Sequence, residues 1–482
     1  MSLAVGALFG GYILWRFLND ARRRQGISPA VWSVVAWITL LGSRPVSTWF
    51  SVGGGQGSAE SYDEGNPFER SVYFVLIFHG LVVLARRGVR LREVIAANAW
   101  LFIFFLFWGL SILWADASFV AFKRWIKDLG NIVMVLVVLT DARPLEAMKA
   151  VFVRSASLLL PVSLMFIRFY PDLGRTYHVW TGEMMYTGVT THKNSLGVLV
   201  LVSLMFLVWD FTSRAPPPAP APSRLSRAGE LSLLLMGAWL LIKAGSATAT
   251  GCAVVGLALM FLLSWKPLRD RVATIEFLTI TGTLVLWPTG IAESVLQFFI
   301  VDILGRDLTL TSRTDVWPML LSKADNALVG SGFNSFWTGE RLADIYGQLG
   351  IIQAHNGYLE TYLNGGAIGL GLLVLLLISA IRRANAQLAA GSSLAKLGFA
   401  LILINVVYNF TEASFDKTSP LWFAFLMVTT QYRDQRLPAR SPSPPGPAAA
   451  DGPPPVPAHK KQKFLQGHLA CVRGWVAHKK QK

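Results

Sequence analysis

The sequence predicts an all-α polytopic membrane protein, and composition, apolar runs and loop charges all indicate this fold class. Of the 482 residues, 53% are hydrophobic and 15% are charged, with a mean hydropathy of +0.46. Soluble domains carry about 25% charged residues. Apolar runs of roughly 17–22 residues recur along the chain and match the thickness of a bilayer's hydrocarbon core. Because lipid offers no partner to an open backbone group, such runs are expected to be helices.

About twelve or thirteen of these runs qualify as transmembrane helices by length. The first run lacks the basic start and small-residue cleavage site of a signal peptide, so it either spans the membrane or lies in its plane. The predicted spans cover residues 2–18, 29–49, 71–85, 94–114, 128–141, 149–169, 195–210, 229–245, 248–265, 276–300, 366–381, 393–411 and 417–431.

Composition also divides the chain into segments. N-terminal transmembrane helices occupy residues 1–212, and a proline-rich linker follows at 213–227. A second transmembrane domain covers residues 228–431 and contains a large loop at about 301–356. The tail at 432–482 is rich in Pro, Ala and Ser, then basic, and is predicted to be disordered.

Arginine-rich loops alternate with acidic or mixed loops along the chain. Arg22-Arg23-Arg24, Arg86-Arg87 and Arg382-Arg383 belong to the first set, whereas Glu60 to Glu64 belongs to the second. The positive-inside rule places the basic loops in the cytoplasm and the loop containing Arg306 to His355 outside. Membrane topology therefore explains the net charge of +16, and we expect no nucleic-acid partner.

The large outer loop supplies the strongest candidates for phosphate recognition. Arg306 and Arg313 lie two helical turns apart if the segment is helical. A guanidinium is permanently charged and donates in pairs, which suits a phosphate group. The alternative is that these arginines form structural ion pairs with Asp302, Asp307 or Asp315.

Polar residues continue where this loop returns to an apolar helix. His355 precedes Asn356, Glu360 and Asn364, which share one helical stripe. Polar groups on a membrane helix are costly and are usually retained for function or pairing. Histidine is suited to abstracting a proton from a hydroxyl near neutral pH, which makes His355 a candidate general base. The alternative is a structural hydrogen-bond donor.

Three further cations are predicted at the outer face. Arg44 is the first, and its alternative role is snorkelling to the interface. His192 and Lys193 precede a helix whose N-terminus would attract an anion, with Thr191 or Asn194 as its cap. The alternative is a capping segment with solvated cations.

The sequence shows no pattern for binding a metal ion or a cofactor at this face. Cys252 and Cys471 do not have the spacing of metal ligands or of a disulfide framework. The sequence also contains no nucleotide-binding loop and no serine-nucleophile elbow. We therefore expect neither a metal ion nor a cofactor.

Several short motifs, taken in order, resemble the O-antigen ligase and Wzy-type polymerase superfamily, and most closely its ExoQ-type exopolysaccharide polymerase branch. The resemblance covers residues 29–431. The motifs are Ser43-Arg44-Pro45, Thr191-His192-Lys193-Asn194-Ser195-Leu196-Gly197, Ser246-Ala247-Thr248-Ala249, Ser312-Arg313-Thr314-Asp315-Val316-Trp317, Gly330-Ser331-Gly332-Phe333 and His355-Asn356-Gly357-Tyr358-Leu359-Glu360.

The resemblance implies a metal-independent, GT-C-like glycosyltransferase of the bacterial inner membrane, acting on undecaprenyl-diphosphate-linked glycans at the periplasmic face. In the ligases of this superfamily, a loop histidine is the proposed base and arginines hold the diphosphate. The matching residues here are His355 and Arg313, with Arg306 less closely matched. Ligases often carry an arginine in the small-residue motif, where this chain has Ala247. A second cation would then come from Arg44, His192 or Lys193.

This departure favours an inverting polymerase of lipid-linked repeat units over a ligase that transfers glycan to lipid A-core or another acceptor. The partners implied are the undecaprenyl-diphosphate-linked glycan, an acceptor glycan, membrane lipids and a chain-length regulator protein. Asn356 and Glu360 complete the predicted substrate contacts. A lipid-glycan transporter is the alternative from another class, but the chain lacks the internal repeats typical of transporters.

Overall fold

The regular structure is almost entirely helical in the part of the chain that can be described. A computed structural model describes residues 2–50, 66–177, 182–213, 223–272, 274, 313–390, 392–415 and 418–432. A short antiparallel hairpin of β1 (Arg175–Tyr177) and β2 (Met184–Tyr186) pairs Thr176 with Met185.

The helices fall into three groups along the chain. Those before the hairpin are α1 (Ser2–Arg23), α2 (Val31–Leu41), α3 (Val46–Trp49), α4 (Pro67–Arg86), α5 (Leu91–Ala97), α6 (Ala99–Ser111), a 3₁₀ turn (Ile112–Trp114), α7 (Ser118–Leu139), α8 (Pro144–Phe169) and α9 (Pro171–Gly174). Those between the hairpin and the large loop are α10 (Lys193–Thr212), α11 (Arg224–Ala244), α12 (Ala247–Leu262) and α13 (Lys266–Arg269). The last group is α14 (Arg313–Ser322), α15 (Gly339–Leu349), α16 (Gly357–Ala389), α17 (Ser393–Tyr408) and α18 (Pro420–Thr429).

Several of the described helices can cross a bilayer. Five are long and apolar enough on their own (α4, α8, α10, α11 and α16), and α5 with α6 would add a sixth span bent by 103°. Four shorter apolar helices, α2, α12, α17 and α18, accompany them. The protein is therefore a multi-pass membrane protein, and the predicted all-α polytopic fold class is confirmed.

The predicted spans coincide with helices wherever the structure describes them, although several bounds differ and the run 94–114 is divided at Asn98 by the 103° bend. The run 29–49 is divided, because Pro45 has the extended ψ of 144° between α2 and α3. The run 128–141 is only the second half of α7, which already begins at Ser118. The predicted span 276–300 lies outside the described residues.

Helices on both sides of the predicted linker belong to one compact unit, which extends to Tyr432. α10 packs along α11, and α8 contacts both of them. Residues 214–222 of the linker and 433–482 of the tail lie outside the described residues. The division into domains at 212, 227 and 431 stays a prediction.

The centre of the bundle is formed by α8, α10 and α18. The ring of Phe152 on α8 stacks on Phe206 of α10 with centroids 3.5 Å apart, and Trp422 and Phe425 of α18 are fully buried. Lipid tails are as apolar as these side chains, so close packing rather than escape from water holds the helices together.

A buried ion network joins α1 to this centre at one end of the bundle. Arg24 pairs with Asp20, and its Nη2 lies 2.6 Å from Asp210 Oδ2 on α10. Arg154 Nε on α8 lies 2.7 Å from the other Asp20 oxygen, Oδ2. All four side chains are buried. The N-terminal run is thus an integral helix of the bundle, although its crossing of the bilayer stays a prediction.

Helix α16 is broken near its start. Gly366 has φ 61° and ψ −162°, so the helical hydrogen bonds are interrupted there. Residues 327–332, which form turns, run beside the break and supply replacement hydrogen bonds. Ser331 and Gly332 donate to the carbonyls of Leu363 and Asn364 at 3.1 and 2.8 Å. Ala367 and Ile368 donate in turn to the carbonyls of residues 327 and 328 at 2.8 and 3.0 Å. The outer loop is therefore part of the bundle's backbone hydrogen bonding.

The same loop is fixed to the connection between α6 and α7. The Phe333 N–H donates to Ser111 Oγ at 3.0 Å, and Arg124 Nη1 donates to the Asn334 carbonyl at 2.6 Å. Arg341 of α15 forms an ion pair with Asp116 at 3.1 Å. These contacts come from the end of α6, from the connection itself and from α7. Together they orient the described part of the loop relative to these helices.

We predict that Gly366→Ala destabilises the protein. An added Cβ would lie 2.2 Å from the carbonyl carbon of Leu328, and the positive φ adds a backbone cost of about 1–3 kcal/mol. Thermal unfolding of the detergent-solubilised protein measures the effect. Gly371→Ala is the matched control, because nothing lies within 4 Å of its added Cβ. Equal melting temperatures for both variants would contradict the structural role of the break.

Candidate active site

The turn that begins α16 places His355 at one end of that helix, directly before its N-cap Asn356. Asn356 caps the helix, and its Oδ1 accepts from the N–H groups of Tyr358 and Leu359 at 3.0 Å. His355 precedes this cap and has φ 53°, a left-handed conformation that is uncommon for a residue with a side chain. Such backbone strain concentrates at functional sites.

The imidazole of His355 lies against a buried carboxylate. Its Nδ1 is 3.3 Å from Glu412 Oε2, and its Nε2 is 3.4 Å from Gln353 Nε2. The His355 side chain is 26% exposed and the Glu412 side chain 9%, so the ring is reachable while its partner is shielded. When Nδ1–H donates to Glu412, Nε2 is left as the acceptor that can take a proton.

Glu412 connects this histidine to the start of α10. Its Oε1 accepts from Asn194 Nδ2 at 2.7 Å. The preceding residue, Thr411, shares a hydrogen bond of 2.7 Å with Thr248 at the start of α12. Four segments that are distant in sequence therefore meet at one point.

The sequence analysis did not identify Glu412. The available signal was an acidic residue shortly after the apolar run of α17, in which Asn405 and the C-cap residue Asn409 are also buried and polar. Polar groups at membrane depth are usually retained for pairing or function. The sequence does not show that Glu412 faces His355, which lies 57 residues earlier.

The structure places His192 at the N-cap of α10. Its Nδ1 accepts from the Asn194 N–H at 3.2 Å, so the predicted caps Thr191 and Asn194 are corrected. Asn194 is already the second residue of α10, and its side-chain Nδ2 donates to Glu412. Lys193 is half-buried and begins α10, and His192 is exposed. Lys193 and the imidazole of His192 therefore stand beside the Asn194–Glu412–His355 chain, at a helix end that favours anions.

Arg44 fixes the segment that leads to this helix. Its Nη2 donates to the carbonyls of Leu173, Gly188 and Thr190 at 2.6, 2.9 and 3.1 Å, and its guanidinium lies 5.4 Å from the Trp49 ring centroid. Burial lowers the pKa of Arg44. Carbonyl oxygens are neutral partners, so they do not cancel the positive charge.

Glu360 has protein partners for both carboxylate oxygens. Oε2 accepts from Trp337 Nε1 at 2.8 Å, and Oε1 accepts from the Ala354 N–H at 2.7 Å. Asn364, one turn later, accepts from the Phe336 N–H at 3.0 Å. These buried bonds hold the loop against α16 directly before His355. A direct substrate contact by Glu360 stays a prediction.

The arginines of the large loop are only partly located. The backbone of Arg313 begins α14, and Trp317, one turn later, donates from Nε1 to the Ala354 carbonyl at 3.1 Å. The start of α14 is thereby held near the residue that precedes His355. Arg306 lies outside the described residues, and a diphosphate role for either arginine stays a prediction.

Comparison with known proteins gives one distant relative of defined role. No protein-family model matches the chain. The chain is 26% identical over 305 residues to the exopolysaccharide production protein ExoQ of Rhizobium meliloti (strain 1021). The chain is a distant relative of ExoQ. The match covers 59% of this chain and 65% of ExoQ, just under two thirds of that protein's length. The predicted resemblance to the ExoQ-type branch is confirmed at this level.

We predict that Glu360→Gln loosens the turn before His355. The amide that replaces one oxygen would oppose an N–H donor and leave it unsatisfied, at a cost of about 1–3 kcal/mol. Thermal unfolding in detergent is the measurement, with Glu340→Gln on the exposed start of α15 as control. A Glu360→Gln protein as stable as wild type would favour the substrate-binding role instead.

Proposed function

We propose that this protein is an inverting, metal-independent GT-C-like glycosyltransferase of the bacterial inner membrane. It polymerises undecaprenyl-diphosphate-linked oligosaccharide repeat units into exopolysaccharide or O-antigen at the periplasmic face. The contact between His355 and Glu412 carries the proposal, because it provides an oriented base at one end of the membrane bundle. Similarity to an exopolysaccharide production protein supports the class of product.

His355 acts as the general base in this reaction. Its Nε2 takes the proton from an acceptor-sugar hydroxyl as that oxygen bonds to the anomeric carbon of the donor. Glu412 holds Nδ1–H and stabilises the imidazolium that forms, since a carboxylate near a ring nitrogen favours the charged state. Attack from the face opposite the leaving group inverts the anomeric configuration.

The leaving group is the lipid diphosphate. The bond between the anomeric carbon and the diphosphate oxygen breaks, and the electron pair departs with that oxygen. The developing negative charge needs fixed cations more than it needs a proton. We assign this role to Arg313, with Arg306, and to a second cation from Arg44, His192 or Lys193. Cleavage of the donor's bond to the diphosphate supplies the free energy of the transfer, so the reaction does not require a nucleotide.

The substrates and partners follow from this chemistry. The donor and the acceptor are both glycans, one of them linked to undecaprenyl diphosphate and embedded among membrane lipids. Asn356 lies next to the base, where it could contact a sugar hydroxyl only after leaving its capping bonds. A chain-length regulator protein is the protein partner that this activity implies.

We expect His355→Ala to abolish polymer formation in cells, because removing a general base lowers rates by about 10²–10⁴-fold. Lipid-linked single repeat units should accumulate, and Arg313→Ala should give the same product pattern. Gel analysis of extracted polysaccharide, with immunoblots for membrane levels, makes the measurement. His79→Ala is the matched control, since His79 is exposed on α4 away from the site.

Each result of this experiment is informative. Long polymer in cells carrying His355→Ala would overturn the mechanism and leave His355 structural. Polymer that forms but is not attached to its surface acceptor would identify the protein as a ligase. Lipid-linked units that are synthesised at the wild-type level but retained inside the cell would identify a transporter.

Glu412→Gln should lower the rate less than His355→Ala. Loss of a charge-assisted hydrogen bond of about 1.5–3 kcal/mol corresponds to roughly 10- to 100-fold. Turnover of purified lipid-linked repeat units measures this, and Glu412→Asp should recover part of the activity because it retains the charge. A Glu412→Gln enzyme with wild-type turnover would show that the carboxylate does not orient the base.

A further inference from the structure

Asn409, the C-cap residue of α17, is fully buried and forms hydrogen bonds with its whole side chain. Its Oδ1 accepts from the N–H groups of Ser414 and Phe415 at 2.7 and 3.2 Å. Its Nδ2 donates to the Asn405 carbonyl at 2.8 Å and to Ser414 Oγ at 2.9 Å. A side-chain amide offers two donors and two acceptor positions, so all of them are used here.

Glu412 lies in the turn that these bonds close. The side chain of Asn409 joins the start of the turn to its end at Ser414. Within the turn, the Glu412 N–H donates to the Tyr408 carbonyl at 3.0 Å. The backbone at Glu412 is therefore fixed from both directions, and its carboxylate extends from a defined position.

The backbone of Asn409 also contacts the turn that carries His355. The N–H of Gly357, two residues after His355, donates to the carbonyls of Asn409 and Glu412 at 2.8 and 3.0 Å. The two turns are in close contact, because a Cβ added to Gly357 would lie 2.1 Å from Asn409 Oδ1. One buried asparagine thus holds both the segment that carries the base and the segment that carries its carboxylate partner.

Tyr358 holds α16 against α17 independently of the Asn409 side chain. Its hydroxyl donates to the Val406 carbonyl at 2.9 Å. Its ring centroid lies 5.0 Å from that of Phe410 and 5.3 Å from that of Phe415. Because these contacts do not involve the Asn409 amide, we expect the two helices to stay packed when that amide is removed. The effect of its removal should then be confined to the two turns.

We propose that Asn409 is a positioning residue for the proton transfer, because it sets the distance between Glu412 and His355. This inference rests on the proposed function and extends it at the same site. Glu412 Oε2 lies 3.3 Å from His355 Nδ1, near the upper limit for a hydrogen bond, so a small displacement of either turn breaks the contact. A misplacement of about 1 Å can lower a rate by about 10²-fold. Asn409 contacts neither reacting atom and acts through Glu412.

The test measures turnover of purified lipid-linked repeat units by the full-length protein in nanodiscs. Asn409→Ala should lower kcat by no more than the roughly 10- to 100-fold expected for Glu412→Gln, with KM unchanged. Asn409→Ser should give an intermediate kcat, since a hydroxyl replaces the amide in such turns more weakly. Asn409→Ala combined with Glu412→Gln should be no slower than the slower single variant, because residues that act through one contact are not additive.

Asn98→Ala is the matched control for the loss of a buried asparagine. Asn98 is also fully buried, and its Nδ2 donates to the carbonyls of Val94 and Gln431 at 2.9 and 2.8 Å. Its Oδ1 accepts from the Gln431 N–H at 2.8 Å. Asn98→Ala should therefore lower the melting temperature about as much as Asn409→Ala does. Its kcat, measured on the folded protein, should stay at the wild-type value.

The distance between the two turns can also be measured without any activity. The chain for this measurement carries His355→Cys and Glu412→Cys, with Cys252→Ala and Cys471→Ala to remove the native thiols. A short bifunctional thiol reagent should link the two new cysteines in nanodiscs. Addition of Asn409→Ala should abolish most of this linking, whereas addition of Asn98→Ala should leave it unchanged.

The outcomes separate this inference from the proposed function. Wild-type kcat in both Asn409→Ala and Asn409→Ser would overturn the positioning role, even if His355→Ala blocks polymerisation. Equal loss of kcat in Asn98→Ala, or a loss that adds to that of Glu412→Gln, would also overturn it, because the effect would then not pass through Glu412. Linking that depends on Asn409, combined with normal polymer from His355→Ala, would support its hold on the two turns and refute the proposed mechanism.

Discussion

Backbone hydrogen bonding at the break in α16 is the constraint on which the position of the loop before His355 depends. A membrane offers no water to an open N–H or C=O, so a helix can break there only where another segment supplies partners. Residues 327–332 supply them around Gly366. The loop cannot shift without exposing these groups, and its turn before α16 therefore gives His355 a fixed place.

Arginine side chains have different partners in two parts of the bundle. At the basic end, Arg24 and Arg154 are paired with Asp20 and Asp210, so buried cations meet buried carboxylates. Arg44, which holds the segment before α10, meets neutral carbonyls that do not cancel its charge. An uncancelled cation of this kind contributes a positive potential around that segment.

The site combines a reachable base with shielded partners. A reachable imidazole against the shielded carboxylate of Glu412 suits proton transfer. The hydroxyls of Thr248 and Thr411 share a hydrogen bond of 2.7 Å, which fixes the start of α12 beside the residue that precedes Glu412. The chain's distant similarity to an exopolysaccharide production protein supports the proposal of a glycan substrate for this site.

The sequence by itself determined the fold class and most helix positions, and it singled out His355 as a candidate base. Apolar length and loop charge are local properties, and a bilayer converts them directly into helices. The sequence also shows which residues are cationic, such as Lys193, because the charge belongs to the individual side chain. The sequence predicted helix lengths less well. In α7, for example, charged residues interrupt the apolar run, but the helix continues through them. Only the tertiary structure decided that Glu412 faces His355 and that Glu360 holds the loop. These pairings join residues on different elements, and no local pattern fixes which distant side chain will lie within hydrogen-bonding distance.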